Sequence, residues 1–434
     1  PFNFAGTDTK LYRLFDATLD VTRTDGGAYN CVEEARWEFI AFGRHVIAVN
    51  PNDDSQYYTL GTSTNFDKLG TETTTAPRAR HGGVVGSFLI LGNTFDETNG
   101  LAENAIHWSA NADPFTWPTP GTDTAVAVQS DRQVLEGNGG AVQSVVTGSE
   151  VGAIFQERSV WRADFRGGDV VFGLSRVEPN RGLLIPGLAV PFGRNVFYLS
   201  EDGFYLFDYS SSRPIGRERV DRTFLSDVNT SAFDRVSAVS DPDNQRIWVS
   251  YPSGSNTVPN KVLIYDWGLN RWSHAEIDTE LLVGALDAGR SLDAAGITGD
   301  ADNVDSSDPS FDERIAVPGS RKLGAYDTAF KLSDFSGTPL DATLETGRHE
   351  LTPGSHSLVT RARPLIDSQN PTIQSAGVRK TNATSSFGPA KKVDEDGDAP
   401  LRQDGRYHSF RLNVQGGFTN AIGFDVSFQR SSTR

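Results

Sequence analysis

The sequence predicts an all-β protein: a β-propeller of about six or seven degenerate blades, followed by an antiparallel β-sandwich. Three observations carry this. The segments Phe42–Val49, Val85–Leu91 and Phe192–Leu199 repeat one phrase, an apolar residue, a Gly, two turn residues, then a β-branched and aromatic run. Gly43 and Gly86 stand 43 residues apart, and Gly193 and the corresponding turn at Asn244 stand 51 apart, a period that suits propeller blades of about four strands. Helical periodicity is almost absent, and 43 Gly and 21 Pro suit many short strands joined by turns.

The elements follow in order. Lys10–Leu19 reads as a first hairpin arm. Trp37–Leu60 reads as a hairpin turning at Asn50–Asp54. His81–Trp108 follows, with Phe88–Leu91 as its inner strand, and Ala141–Phe172 contains Val142–Val146, Val151–Phe155 and Ser159–Phe165. In Leu188–Ile215 the strands Val196–Leu199 and Phe204–Phe207 meet at the turn Ser200-Glu201-Asp202-Gly203. A turn or two of helix is expected around Val220–Ser231. Strands resume over Val236–His274, and Leu281–Leu332 closes the series around the Asp-rich stretch Asp287–Gly319, read as a solvated loop. The propeller is expected over residues 1–336. After a change of character at Gly337-Thr338-Pro339, residues 337–434 are expected to form a separate antiparallel sandwich. Its strands are Ala342–Thr346, Ser357–Ile366, Thr372–Arg379, Tyr407–Val414 and Ile422–Phe428. Pro1 is not a translational start, so the beginning of the polypeptide is expected to be missing.

Forty Lys and Arg against 56 Asp and Glu give a formal net charge of −16. Residues 337–434 hold 12 basic and 10 acidic residues, so the acidity belongs to the preceding part. Such a surface repels phosphates and argues against groove-reading of DNA. The same repulsion would let DNA slide through a channel without sticking. No apolar stretch approaches the roughly 20 residues that span a bilayer.

No residue pattern points to catalysis, a cofactor or a metal. The single Cys31 excludes an intramolecular disulfide and a Cys-based zinc site. The histidines His45, His81, His107, His274, His349, His356 and His408 are scattered, without i, i+2 or i, i+4 pairs. Asp394–Asp398 clusters oxygen ligands around a Gly, but loop position 12 is Gly405, where an EF-hand needs Glu; it reads as an acidic turn. Gly137–Gly140 precedes a strand rather than a helix, so it offers no helix N-terminus to a phosphate. Ser200–Phe204 is similar to the Asp-box of sialidases but lacks one residue between Asp and Gly, and reads as a plain hairpin turn. Trp108, Trp117, Trp161, Trp248, Trp267 and Trp272 lie in or beside apolar runs and read as packing between blades, Trp267 and Trp272 with partial exposure.

Several longer phrases bear a resemblance. They are Phe155–Arg162, Val177–Gly182, Phe197–Tyr205, Pro214–Gly216, Val220–Phe224, Lys261–Ser273, Asp404–Leu412 and Ile422–Val426. Together the chain resembles the tail nozzle or tail hub proteins of short-tailed bacteriophages, also described as packaged-DNA stabilisation proteins. The resemblance implies a structural virion protein of the phage tail, a propeller with a platform domain. It implies a homo-oligomer, a hexameric ring below the head-to-tail adaptor protein, meeting tail fibres or a tail needle. It implies a ring that retains packaged double-stranded DNA and conducts it during ejection without sequence-specific contacts. No catalytic residue, cofactor or membrane span comes with it, and a non-enzymatic role is expected. Two other classes have distinct signatures. A receptor- or glycan-binding propeller of a tail predicts an exposed aromatic cluster with adjacent amides. A propeller glycosidase predicts two carboxylates about 5–10 Å apart in a central pocket.

Overall fold

A computed structural model of the chain describes residues 3–14, 18–32, 35–71, 73–168, 170–286, 321–335, 340–368, 370–418 and 421–432. The stretch Asp287–Gly319 and the expected boundary at Gly337-Thr338-Pro339 lie outside them. The chain divides into two units, Pro1–Phe335 and Ser336–Arg434.

The first unit is all-β and propeller-like. Among the described residues it holds seven small antiparallel sheets, each made of strands consecutive in the chain. The first sheet is β1 (Asn3–Gly6), β2 (Leu11–Leu14) and β3 (Thr18–Asp20). The second is β4 (Glu38–Phe42), β5 (His45–Val49), β6 (Gln56–Thr59) and β7 (Asp67–Lys68). The third is β8 (Arg78–Val85), β9 (Phe88–Asp96), β10 (Gly100–Trp108) and β11 (Asp131–Val134), with helix α1 (Asp123–Ala127) before its last strand. The fourth is β12 (Val142–Val146), β13 (Val151–Gln156), β14 (Val160–Phe165) and β15 (Phe172–Glu178). The fifth is β16 (Val190–Phe192), β17 (Asn195–Ser200), β18 (Gly203–Phe207) and β19 (Ser212–Pro214). Helix α2 (Asp221–Asp227) and a 3-10 turn (Thr230–Arg235) lead to the sixth, β20 (Ser237–Asp241), β21 (Arg246–Tyr251), β22 (Lys261–Asp266) and β23 (Arg271–Glu276). The seventh is β24 (Leu281–Leu286), β25 (Arg321–Tyr326) and β26 (Leu332–Asp334).

The repeated phrase has one structural meaning. In the second, third and fifth sheets it makes the two-residue turn between first and second strands, where Phe42 pairs His45, Val85 pairs Phe88 and Phe192 pairs Asn195. Gly43, Gly86 and Gly193 have φ of 58°, 61° and 55°. A positive φ at the first central residue is what a type II′ hairpin turn requires, and only glycine adopts it freely.

The first strands of successive sheets lie against one another: β4 on β8, β8 on β12, β16 on β20 and β20 on β24. Two glycines allow the closest of these approaches. A Cβ on Gly82 would stand 2.6 Å from Ile40 Cδ1, and one on Gly83 would stand 2.6 Å from the Val145 carbonyl oxygen. The second obstacle is backbone and cannot rotate away. Gly83→Ala is therefore expected to destabilise the protein by about 1–3 kcal/mol in urea unfolding. A change below about 0.5 kcal/mol would show that these strands are not in contact.

Several strand assignments need correction. Trp37–Leu60 is three strands rather than one hairpin, because Gly43 reverses the chain a first time. The Asn50–Asp54 turn makes the second reversal, with Asn50 Oδ1 accepting the Asn52 and Asp53 N–H groups at 2.8 and 2.9 Å. Phe88–Leu91 belongs to β9, an interior strand of its sheet as expected, flanked by β10 and by the edge strand β8, which carries the small Gly82-Gly83 pair. The turn or two of helix expected around Val220–Ser231 is α2 with the 3-10 turn that follows it, whereas α1, capped by Thr122 Oγ1 accepting the Ala125 N–H at 3.3 Å, was not expected.

The second unit has two sheets. One orders β27 (Ala342–Glu345), β33 (Tyr407–Val414), β30 (Thr372–Val378) and β31 (Lys391–Lys392), with β28 (His349–Glu350) also on β33. The other orders β32 (Ala399–Gly405), β29 (His356–Ile366) and β34 (Ala421–Ser432). Both contribute to one core, in which Val359, Ala362, Ile373, Leu401, Phe410 and Leu412 are buried. The strand β32 escaped the sequence reading because its polar residues obscure the alternation that buries Ala399 and Leu401.

Candidate functional site

The leading ends of three first strands in the first unit gather charge. Arg36 precedes β4, Asp234 and Arg235 precede β20, and Glu280 precedes β24. The Arg36 guanidinium donates to the Val236 carbonyl at 3.1 Å, joining segments 200 residues apart. Arg235 Nη1 meets Glu280 Oε1 at 3.0 Å. Arg36 is exposed by area, yet desolvation by surrounding protein lowers its pKa, with Asp234 opposing that, Arg235 adding to it and Glu280 opposing it. Two cations and two anions are thereby balanced, so the cluster can fasten strand ends together and leaves no surplus charge for a polyanion.

On the adjoining first strands, His81 Nδ1 on β8 lies 3.1 Å from Glu38 Oε2 on β4. The other ring nitrogen is buried without a hydrogen-bonding partner in the protein. A histidine–carboxylate pair orients an imidazole for proton transfer, but here the free nitrogen is covered and cannot meet a substrate. The pair instead links neighbouring first strands.

His107 on β10 is buried and both ring nitrogens lack partners. Burial pushes its pKa down to about 4, with Asp96 opposing and Arg132 reinforcing the shift, and Trp117 packs edge-on at 5.3 Å. The others differ. His45 Nδ1 meets Thr59 Oγ1 at 2.9 Å, His356 Nδ1 lies 3.7 Å from Asp404, and His408 Nε2 contacts the Gly405 carbonyl at 3.0 Å. Among the described residues no group of three His, Cys, Asp or Glu side chains is placed to hold a metal ion.

The remaining sequence candidates have structural partners. Cys31 is buried, its Sγ lies 3.3 Å from the Ala35 carbonyl, and burial pushes its thiol up to about 11, which leaves it protonated and unreactive at neutral pH. In Asp394–Asp398 the Asp394 carboxylate caps the Asp396 and Asp398 N–H groups at 3.1 and 2.9 Å. The Asp398 carboxylate is taken by Arg361 and Arg363 at 3.1 and 3.0 Å, so it serves to tie this turn to β29. The Gly139 and Gly140 carbonyls accept the Arg158 N–H at 2.8 Å and Gln156 Nε2 at 2.7 Å. Glu201 and Asp202 are the centre of a tight turn closed by Ser200 and Gly203. Trp108 and Trp117 are buried; Trp161, Trp248, Trp267 and Trp272 are half-buried and form no open platform.

Behind that turn sits Asp221, a buried carboxylate the sequence reading did not single out. It accepts the Phe204 N–H at 3.1 Å, and desolvation raises its pKa. Asp202, held by Tyr205 at 2.6 Å and by Arg181, is shifted down despite its partial desolvation. Carboxylates with divergent pKa values can mark an acid–base pair. Asp221, however, is walled by Gly203 and Gly216, whose absent Cβ atoms leave the room it occupies, so it fastens α2 to the turn.

No family model matches this chain, and no curated protein matches it. Among solved structures it is similar to the Synechocystis apocarotenoid oxygenase Trp149Ala mutant, with 7% identity, TM-score 0.37, and 71% of this chain and 68% of that one covered. It is also similar to a chain of the mitotic checkpoint complex, with 10% identity, TM-score 0.39, and 74% and 82% covered. Hsv2 of Kluyveromyces lactis follows at 12% identity, TM-score 0.35, and 62% and 81% covered. Likenesses this distant carry no argument about activity.

Proposed function

We propose that the chain is a structural virion protein of a short-tailed bacteriophage, a nozzle subunit that assembles as a ring below the head-to-tail adaptor and passes DNA. In this reading the seven sheets of the first unit are the blades of a propeller, and the two sheets of the second are the sandwich platform. The observation that carries the reading is the succession of seven meander sheets followed by a separate two-sheet unit, joined to the sequence phrases that resemble tail nozzle proteins. A propeller leaves only short, protected strand edges, which suits a wall that must hold its shape under pressure. The acidic first part would keep the phosphate backbone from adsorbing within a Debye length of ~8–10 Å. The near-neutral residues 337–434 would meet neighbouring copies without mutual repulsion.

The test is the native mass of the purified chain with symmetric class averages from electron microscopy. A closed ring, six-fold by the resemblance, is expected. A monomer at tens of micromolar, with and without added divalent salts, would overturn the nozzle reading.

A further inference from the structure

We propose that a hollow between the fifth and sixth sheets is a binding site for a phosphate group. It has a volume of about 160 Å³ and is lined by Arg213, Pro214, Ile215, Arg217, Arg219 and Asn270. Three arginines thus line one small space on a chain of net charge −16.

Several arginines of this protein find carboxylates: Arg23 with Asp53, Arg162 with Asp164, Arg181 with Glu178, Arg406 with Glu350. Here they do not. Arg213 and Arg217 are exposed, and among the described residues neither side chain has a hydrogen bond or ion pair. Glu218, in the same loop, is exposed and forms no ion pair with them. The nearby Asp221 is buried and turned onto the Phe204 N–H, so it does not neutralise the hollow. Like charges held together without a counter-charge repel one another, and an anion removes that cost.

The floor is built rather than loose. Arg219 Nη1 donates to the Asn270 carbonyl at 2.7 Å and to its Oδ1 at 3.1 Å, which fixes the guanidinium and leaves its other N–H groups available. Asn270 Oδ1 also accepts the Tyr265 hydroxyl at 3.1 Å, so the amide NH₂ remains as a further donor. The Ile215 carbonyl takes Trp272 Nε1 at 3.0 Å and the Ile215 N–H reaches the Phe204 carbonyl at 3.0 Å, which pins the strand carrying Arg213. Guanidinium forks match the oxygens of a phosphate two at a time, and a tetrahedral dianion can engage three of them where a carboxylate offers only two oxygens. The phosphate can be free or part of a nucleic-acid backbone; the recognition chemistry is the same.

The full chain is titrated with inorganic phosphate by calorimetry, against chloride at equal ionic strength, and with a short DNA duplex by fluorescence anisotropy. The variants are Arg213→Gln/Arg217→Gln and, as a control, Arg158→Gln, an exposed arginine outside the hollow. Saturable phosphate binding that weakens tenfold or more in the double variant and is unchanged in the control is the expected result and assigns a free phosphate. Binding of the duplex alone, weakened likewise, keeps the site and assigns it to a phosphodiester backbone. If neither ligand distinguishes the wild type from a folded double variant, the proposal is overturned. Since both substituted side chains are exposed, circular dichroism is expected to show an unchanged fold.

Discussion

Phe204→Ala is expected to lower the unfolding free energy by about 3–5 kcal/mol, the largest loss of any single substitution considered for this protein. Phe204 has no solvent-exposed surface and lies where three elements meet. Its ring centre is 5.5 Å from that of Phe197 on β17, 4.9 Å from Phe224 on α2 and 5.1 Å from Trp272 on β23. Its backbone is held as well, by Asp221 at the N–H and by Ile215 at the carbonyl, so the chain cannot collapse into the space the ring leaves. Removing the ring therefore costs the transfer of an aromatic side chain and an unfilled cavity together. Phe330→Ala, at a residue 70% exposed, is the internal comparison and is expected to stay within about 0.5 kcal/mol. Urea unfolding followed by tryptophan fluorescence reads both. A Phe204→Ala loss below 1 kcal/mol would mean that the fifth and sixth sheets do not share a core.

Stability is expected to fall by roughly 3 kcal/mol on acidification through the window set by His107. In the folded protein burial holds this imidazole down to about 4, against 6.5 when unfolded. Above pH 6.5 both states are neutral and the group contributes no pH dependence. Below it the unfolded chain takes up a proton that the folded chain refuses, so stability declines as pH falls, and the decline levels off near pH 4. Carboxylates held low, such as Asp96 and Asp202, act in the same direction at still lower pH. His107→Gln separates the contributions, because it removes the part between pH 6.5 and 4 and leaves the carboxylate part. Equal slopes for wild type and variant across that window would show that the ring is solvated.

Turn chemistry was the most legible part of the chain. Gly43, Gly86 and Gly193 reverse the backbone through interactions confined to four residues, and a short-range signal survives in a degenerate repeat. The Asp394–Asp398 turn was legible for the same reason. Strand counts were less so. Within Trp37–Leu60 one reversal was assigned where there are two, and β15 and β32 were missed, because half-buried polar strands weaken the alternation that reveals them. The site residues were least legible. Asp221 lies in an ordinary helix-start phrase, Val220-Asp221-Arg222, and only its contact with Phe204 distinguishes it. Arg213, Arg217 and Arg219 read as an ordinary polar loop until Asn270 is brought beside them.

By itself the sequence determined the all-β class, the position of the hairpin turns and the uneven distribution of charge, since each follows from composition or from neighbours a few residues apart. Tertiary structure alone decided which strand of a sheet packs against the next sheet, which depends on small residues such as Gly83 meeting the Val145 backbone. It alone decided that Arg36 meets Val236 and that Arg219 meets Asn270. Those pairs are 200 and 51 residues apart, and contacts at such separation are set by how sheets stack, a sum of many weak packing terms that no local pattern encodes.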